Sequence, residues 1–305
     1  MRRFVFLLLR LTGLPFLLRE LMQRRRVSIL CYHDPRPEDF ERHLRVLTKL
    51  YNVIPLCRYL DWRRTGESEL PRKALVITLD DGHKGNFLLR EVLRRHDVPA
   101  TIFVCSGVIG TRRHFWWKEA PDTERERLKQ IDHTERLLKL AADTGFTETR
   151  EYTERQALSM EETEELGRFV SFQSHTRFHP VLPTCGDKQA MEEIRGSKIE
   201  LERVLGTSVS ALAYPNGSYT EREMQFAREA GYECALTTDG GYNGRNNDRY
   251  RLPRLCMSDG AEENEVVVKA SGLWSAWERC RRHLSAEQTP FRDRAANVAQ
   301  DNAIS

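Results

Sequence analysis

The chain has 305 residues, 40% of them hydrophobic and 30% charged, with a formal net charge of +3. That length suits one large α/β domain or two smaller ones with a full core, and the near-neutral balance, without a basic stripe interleaved with aromatics, argues against a nucleic-acid partner. The seven cysteines, Cys31, Cys57, Cys105, Cys185, Cys234, Cys256 and Cys280, are widely spaced and form no CxxC pair; they read as small buried hydrophobes in a reducing compartment rather than a disulfide framework.

Residues 1–26 form the first segment. An apolar run at 4–9 is interrupted by Arg10 and resumes at 11–18, with Pro15 inside it. A spanning helix needs roughly 20 apolar residues, and no small-residue cleavage site follows. The segment reads as an amphipathic helix. It either lies at a membrane surface with its basic ends near anionic lipid or packs on the protein body, with a cleaved signal as a third reading. Arg24-Arg25-Arg26 and the basic run at 279–282 read as solvated surface.

Residues 27–32 are a short β-prone apolar run, a buried strand with His33 at its C-terminal end. Phe40, Leu44, Leu47 and Leu50 are spaced for a helix. A short strand is expected at 51–55, another at 74–79, a helix at 86–96 and a strand at 100–104. Residues 111–167 are rich in Glu and Arg and read as a helical insertion; Trp116 and Trp117 near its start either pack helices or stack on sugar rings. The strand pattern resumes at 169–173. A helix follows at 189–205, then a strand at 211–215, a helix at 221–230 capped by Thr220 and stopped by Gly231, and a strand at 234–238 running into a Gly-rich loop. Residues 284–305 are polar and aperiodic, a tail. Buried strands alternating with helices predict a parallel sheet, open or closed into a barrel.

Two features carry chemistry. The strand at 74–79 ends in Asp80-Asp81-Gly82, and in parallel barrels the active site lies at the strands' C-terminal ends. Adjacent side chains on a strand point to opposite faces, so both carboxylates reach one site only if the chain turns, which Gly82 permits. His175 and His179 stand four apart, and Pro180 argues that the pair ends a turn rather than lying within a helix. One carboxylate and two imidazoles suit a divalent ion with an open position for water, and the other carboxylate is free to act as a base.

Thr78-Leu79-Asp80-Asp81-Gly82, Ser174-His175-Thr176-Arg177-Phe178-His179 and Ala213-Tyr214-Pro215-Asn216-Gly217 resemble, in order, three motifs of the polysaccharide deacetylase family (the NodB-homology domain, carbohydrate esterase family four). The resemblance spans roughly residues 27–253. It implies an α/β fold, a deformed (β/α)7-type barrel occupying 27–283, and a metal-dependent hydrolase that removes N-acetyl groups from the amino sugars of a glycan. By residue match, Asp80 is the general base. Asp81, His175 and His179 hold Zn²⁺, or Co²⁺, Ni²⁺ or Fe²⁺. Asn216 and Tyr214 belong to the motif that meets the oxyanion and substrate. Ala213 stands where the family carries an Arg that orients the base, a place Arg254 can fill, and Asn216 stands where the family usually carries a Tyr. The late histidine that serves as acid is missing, and Cys31-Tyr32-His33 resembles the poly-N-acetylglucosamine deacetylase branch, in which an N-terminal strand supplies it; alternatively His33 caps a turn. These departures leave two other readings: a non-catalytic glycan-binding protein, and an O-acetyl esterase. His83 reads as a rim residue, and His43, His96, His114, His133 and His283 as surface. Cysteine usage favours a cytoplasmic or membrane-associated protein over an extracytoplasmic one, whereas family members acting on finished polymers work outside.

Overall fold

The computed structural model describes residues 2–66 and 69–287, with side chains to residue 281. Eight strands form one sheet: β1 (Ser28–Tyr32), β2 (Asn52–Val53), β3 (Ala74–Leu79), β4 (Ala100–Val104), β5 (Val170–Ser174), β6 (Ala211–Ala213), β7 (Cys234–Leu236) and β8 (Leu255–Cys256). Every strand pair is parallel, in the order β7-β6-β5-β4-β3-β1-β8, with β2 on the side of β3. The sheet curls until its ends meet. Leu252 bridges to Leu236 of β7, and three residues later β8 pairs with Leu30 and Cys31 of β1. The expected deformed seven-strand barrel is therefore present, closed by residues 252–256.

Strand alternation builds two layers. Ile29, Ala74, Val76, Phe103, Ala211, Ala213, Cys234, Leu236 and Leu252 fill the barrel interior. Leu30, Leu75, Ile77, Leu79, Ile102, Val104, Leu212 and Ala235 face the surrounding helices. On β3 the interior row runs Ala74, Val76, Thr78 and then Asp80, so the apolar filling gives way to polar groups at the C-terminal mouth.

The helices follow expectation with local differences. The helix Glu221–Glu229 starts in a capping box between Thr220 and Glu223. The helix expected at 86–96 opens as a 3-10 turn, Lys84–Leu89, before Arg90–His96. The insertion holds four short helices: three, including His133–Thr144, gather around a small core of Trp116, Leu128, Leu140 and Phe146, and the fourth, Met160–Leu166, buries Leu166 in the main core. Residues 1–26 give two helices, Arg2–Leu11 and Leu14–Leu21, because Gly13 takes a left-handed backbone (φ 73°) between them. The sequence reading missed the helices Leu56–Thr65 and Glu263–Ala270. The expected tail is helical as far as Glu287, in Leu273–Glu287, and residues 288–305 lie outside the described residues.

Several surface assignments are corrected. His43 and His133 are buried, the first on the carbonyl of Ala261 at 2.7 Å and the second against Arg136 at 2.7 Å. Both sit on charged helices whose inner faces are closed by tertiary contacts that local sequence does not reveal. Of the cysteines, Cys57, Cys256 and Cys280 are exposed, and no disulfide joins any of the seven.

Candidate active site

At the mouth of the barrel, Asp80 continues the interior row of β3 and Arg254 reaches it from the closing segment. Arg254 donates from Nη1 to Asp80 Oδ1 at 2.7 Å and from Nη2 to Oδ2 at 2.8 Å. Two further donors go to Thr78 Oγ1 (3.2 Å) and the carbonyl of Thr237 (3.1 Å). Both residues are buried. Burial alone would push the Asp80 carboxyl up; the charge of Arg254, aided by His175, holds it down at about 2. The Cys31 thiol, in the interior row of β1, lies 3.3 Å from Asp80 Oδ2. A carboxylate has about four acceptor sites; Arg254 and Cys31 use three, leaving one.

Asp81 follows directly, and alternation would send it outward. It does not go there, because Asp81 itself takes a left-handed backbone (φ 74°) and Gly82 repeats it (φ 74°). The turn expected at Gly82 thus begins one residue earlier. Gly82 is required on steric grounds as well, since a Cβ there would sit 2.7 Å from Val104 Cγ1. The double turn swings Asp81 Oδ1 to 3.4 Å from His175 Nε2 and 3.4 Å from His179 Nε2.

The two histidines leave the end of β5 on an irregular loop, as Pro180 implied, with Thr176 (φ 65°) and His179 (φ 57°) both left-handed. His175 Nδ1 lies 2.8 Å from the carbonyl of Ala213. A carbonyl only accepts, so Nδ1 carries a proton and Nε2 is the nitrogen turned to the site; against burial, the carboxylates of Asp80 and Asp81 raise this imidazole above its ordinary value. Burial holds the His179 imidazole down to about 3 and keeps it neutral. Asp81 Oδ1 is buried with no hydrogen-bond partner. Three donor atoms thus converge: one orphaned carboxylate oxygen and two imidazole nitrogens. Ligands about 2.1 Å from a tetrahedral ion stand about 3.4 Å apart, so the donor set and its spacing fit a divalent metal.

Two supporting residues, His83 and Glu193, are not legible in the sequence as parts of the site. His83, expected at the rim, is buried, with Nε2 3.0 Å from Asp81 Oδ2 and Nδ1 3.1 Å from Lys118 Nζ. Glu193 Oε2 accepts the backbone N–H groups of Arg177 (2.8 Å) and Phe178 (2.9 Å), fastening the loop between His175 and His179. Trp116 is buried and donates to the carbonyl of His179 at 2.9 Å, while the ring of Trp117 lies 4.1 Å from the His179 ring. The pair therefore divides the two roles weighed for it: Trp116 packs, and Trp117 lines the pocket.

The pocket has a volume of about 200 Å³ and is lined by His33, Asp80, Asp81, Trp117, His175, His179 and Asn216, with Lys129 and Thr238 among its other walls. His33 is exposed at its edge, and its backbone is pinned by Asp259, which accepts its N–H at 3.1 Å, and by Asn86, which donates to its carbonyl at 2.8 Å. Asn216 stands in a left-handed turn (φ 56°). The Tyr214 side chain is buried, stacks on Tyr219, donates to the carbonyl of Tyr250 at 3.1 Å and does not line this pocket. A larger cavity, about 690 Å³, lies among Arg63, Arg228 and Arg249 and holds none of these groups.

Residues 67–235, more than half of the chain, match the sequence model of the family described as polysaccharide deacetylase. The chain belongs to the polysaccharide deacetylase family. It is a hydrolase of that family, whose members deacetylate glycans. YxkH of Bacillus subtilis (strain 168), described as a polysaccharide deacetylase, is 24% identical over 245 residues, covering 77% of this chain and 72% of that protein. Among solved structures, IcaB from Ammonifex degensii superposes with a TM-score of 0.61 at 20% identity, over 82% of this chain and 98% of that one. The Streptococcus pyogenes deacetylase PplD gives 0.60 at 19% identity, over 80% and 98%. The de-N-acetylase from Aggregatibacter actinomycetemcomitans gives 0.57 at 17% identity, over 78% and 97%. At these identities the likeness is one of fold. Asp80, Asp81, His175, His179 and Asn216 lie within the polysaccharide deacetylase match, whereas Cys31, His33 and Arg254 lie outside it.

Proposed function

We propose that the protein is a metal-dependent N-deacetylase that hydrolyses the acetamide of an amino sugar within a glycan. The observation that carries this reading is the juxtaposition of an ionised carboxylate, Asp80 on Arg254, with the Asp81–His175–His179 cluster in one pocket. Asp81, His175 and His179 would hold the ion, zinc being the best match to the donor set. Such an ion lowers the pKa of water and polarises a carbonyl oxygen.

The chain's own groups divide the rest. Asp80, with one acceptor site left, takes the proton from the attacking water as its oxygen bonds to the acetyl carbon. The backbone at Asn216 meets the developing oxyanion. His33, at the pocket edge, gives a proton to the nitrogen as the C–N bond breaks, leaving acetate and a free amine. Trp117 offers a flat face to the sugar. Arg254 stands in for the orienting arginine that Ala213 lacks, and His33 for the missing late histidine; the two departures that favoured a non-catalytic reading are thereby met from elsewhere in the chain. An acid at the pocket edge supports an amide substrate over an ester, because an amine leaves only when protonated and an alkoxide depends on this less. The Aggregatibacter structure, named a de-N-acetylase, points the same way.

The test is acetate release by metal-stripped protein resupplied with Zn²⁺ or Co²⁺, on N-acetylglucosamine oligomers and on O-acetylated oligomers. Metal-restored release from the N-acetylated set is expected. Release confined to the O-acetylated set would make the protein an esterase, and release unaffected by stripping would remove the metal from the mechanism.

A further inference from the structure

The active site leaves the N-terminal helices without a role. Among the described residues, ten of the fifteen large apolar side chains that are exposed fall between positions 4 and 22. Phe4, Leu8 and Leu11 repeat at helical spacing along Arg2–Leu11, and Leu14, Leu17 and Leu21 along Leu14–Leu21. Leu11 and Leu21 are 72% and 74% exposed. So many neighbouring apolar groups in water mark a docking surface.

The two helices are held firmly. Phe6 is buried, its ring 4.8 Å from that of Trp274. Arg2 and Arg3 pair with Glu265 (2.5 Å) and Glu262 (2.6 Å) of the helix Glu263–Ala270 and its cap, and Arg10 donates to Asn264 at 2.8 Å. At the far end Gln23 is buried and hydrogen-bonded to Ser28, Ala270 and Tyr51. The outward apolar face is therefore a fixed feature. Trp277, 48% exposed and 4.6 Å from Trp274, adds an amphipathic ring beside it.

What covers this face is indicated by charge. Arg24, Arg25, Arg26 and Arg72 line one cleft of about 520 Å³, which also contains Glu69. All four arginines are exposed, and none makes an ion pair among the described residues. Apolar side chains next to unpaired arginines and a tryptophan are the composition of an interfacial element. The helices cannot span a bilayer: they are 10 and 8 residues long, about 15 and 12 Å, against a hydrocarbon core of about 30 Å.

We propose that this face binds the surface of a bilayer containing anionic phospholipid, with the apolar stripes sunk among the acyl chains and Arg24–Arg26 and Arg72 on the headgroup phosphates. Arg24–Arg26 lead into the N-terminal end of β1, whereas Asp80 follows the C-terminal end of its parallel neighbour β3. The arginines thus engage lipid at the end of the barrel away from the catalytic mouth.

The test is flotation of the whole protein with vesicles of phosphatidylcholine alone and with about one-third phosphatidylglycerol. The wild type should float with the anionic vesicles and less so at high salt. Leu8→Glu/Leu17→Glu should remain in solution, with unchanged circular dichroism and unchanged acetate release from a soluble oligomer. Arg24→Gln/Arg25→Gln/Arg26→Gln should weaken anionic-vesicle binding by about 100-fold, at about fivefold per arginine near a charged surface. Wild-type protein staying in solution with every vesicle would overturn the proposal. So would a concentration-dependent dimer that Leu8→Glu dissociates without any lipid binding, which would make the face a contact between copies of the chain.

Discussion

Asp80 and Arg254, 174 positions apart, share two parallel hydrogen bonds of 2.7 and 2.8 Å inside the barrel. Removing one partner of such a buried pair strands the other charge away from water. Arg254→Leu should therefore lower stability by about 3–5 kcal/mol in urea unfolding and abolish acetate release. Arg254→Lys should recover part of the stability and little of the rate, because an ammonium cannot make both contacts at once. A stable, active Arg254→Leu protein would show that Asp80 needs no counter-charge.

His33→Ala should leave bound metal unchanged while turnover on an N-acetylated oligomer drops by about 10²–10⁴. An aryl acetate, whose leaving group needs no proton, should lose far less. Equal losses on both substrates would assign His33 to binding rather than proton transfer.

Metal binding should raise the melting temperature of the wild type and of Asp80→Asn, since a ligand that binds only the folded state stabilises it. Asp81→Asn and His179→Ala should show no such rise. Asp80→Asn should nevertheless release no acetate, separating the ion's holders from the base.

Glu193 sets a pH dependence. Burial raises its carboxyl from 4.5 to about 7, against the two backbone N–H groups that favour its charge. A raised acid favours the protonated form in the fold, so its stabilising contribution is present below the unfolded value and is lost as pH rises through about 7. A shift of that size corresponds to about 3 kcal/mol. Arg177 and Glu200 act on the same carboxyl, and Glu148, pushed up to about 8 by burial and by Glu193, loses its own contribution in the same direction. Unfolding free energy measured from pH 5 to pH 8 should fall in the wild type and fall less in Glu193→Gln, which keeps an acceptor for both N–H groups. Parallel curves would mean that Glu193 does not titrate there.

Gly82→Ala should be destabilised by about 1–3 kcal/mol, from the left-handed backbone and the approach to Val104, and should lose metal as Asp81 shifts. Adding Val104→Ala removes the clash and leaves the backbone strain, so the double variant should recover only in part.

The catalytic half of the site is legible in the sequence because its residues are local: Asp80-Asp81-Gly82 and the two histidines each sit together at a strand end, where barrel topology places chemistry. His33 is legible as a candidate because it ends an apolar strand, and Arg254 as a replacement for the orienting arginine that Ala213 lacks, but what they touch is decided by barrel closure. That closure rests on Leu252 and a two-residue strand, too short to stand out as an apolar run. Glu193 and His83 are hidden for a different reason. Each lies among polar neighbours and looks like surface, and burial comes from elements distant in the chain. Tyr214 shares a motif with Asn216 but not its direction: Asn216 and Gly217 line the pocket, while the Tyr214 ring packs on Tyr219.

The closing segment has a practical consequence for dissecting this enzyme. A fragment trimmed to the recognisable homologous core, residues 67–235, would keep Asp81, His175 and His179, the proposed holders of the ion. It would lack Arg254 and His33, and with them β1, which pairs with the strand that carries Asp80, and β8, which pairs with β1. On the proposed reading, the smallest catalytic unit would therefore run from the first barrel strand through the last.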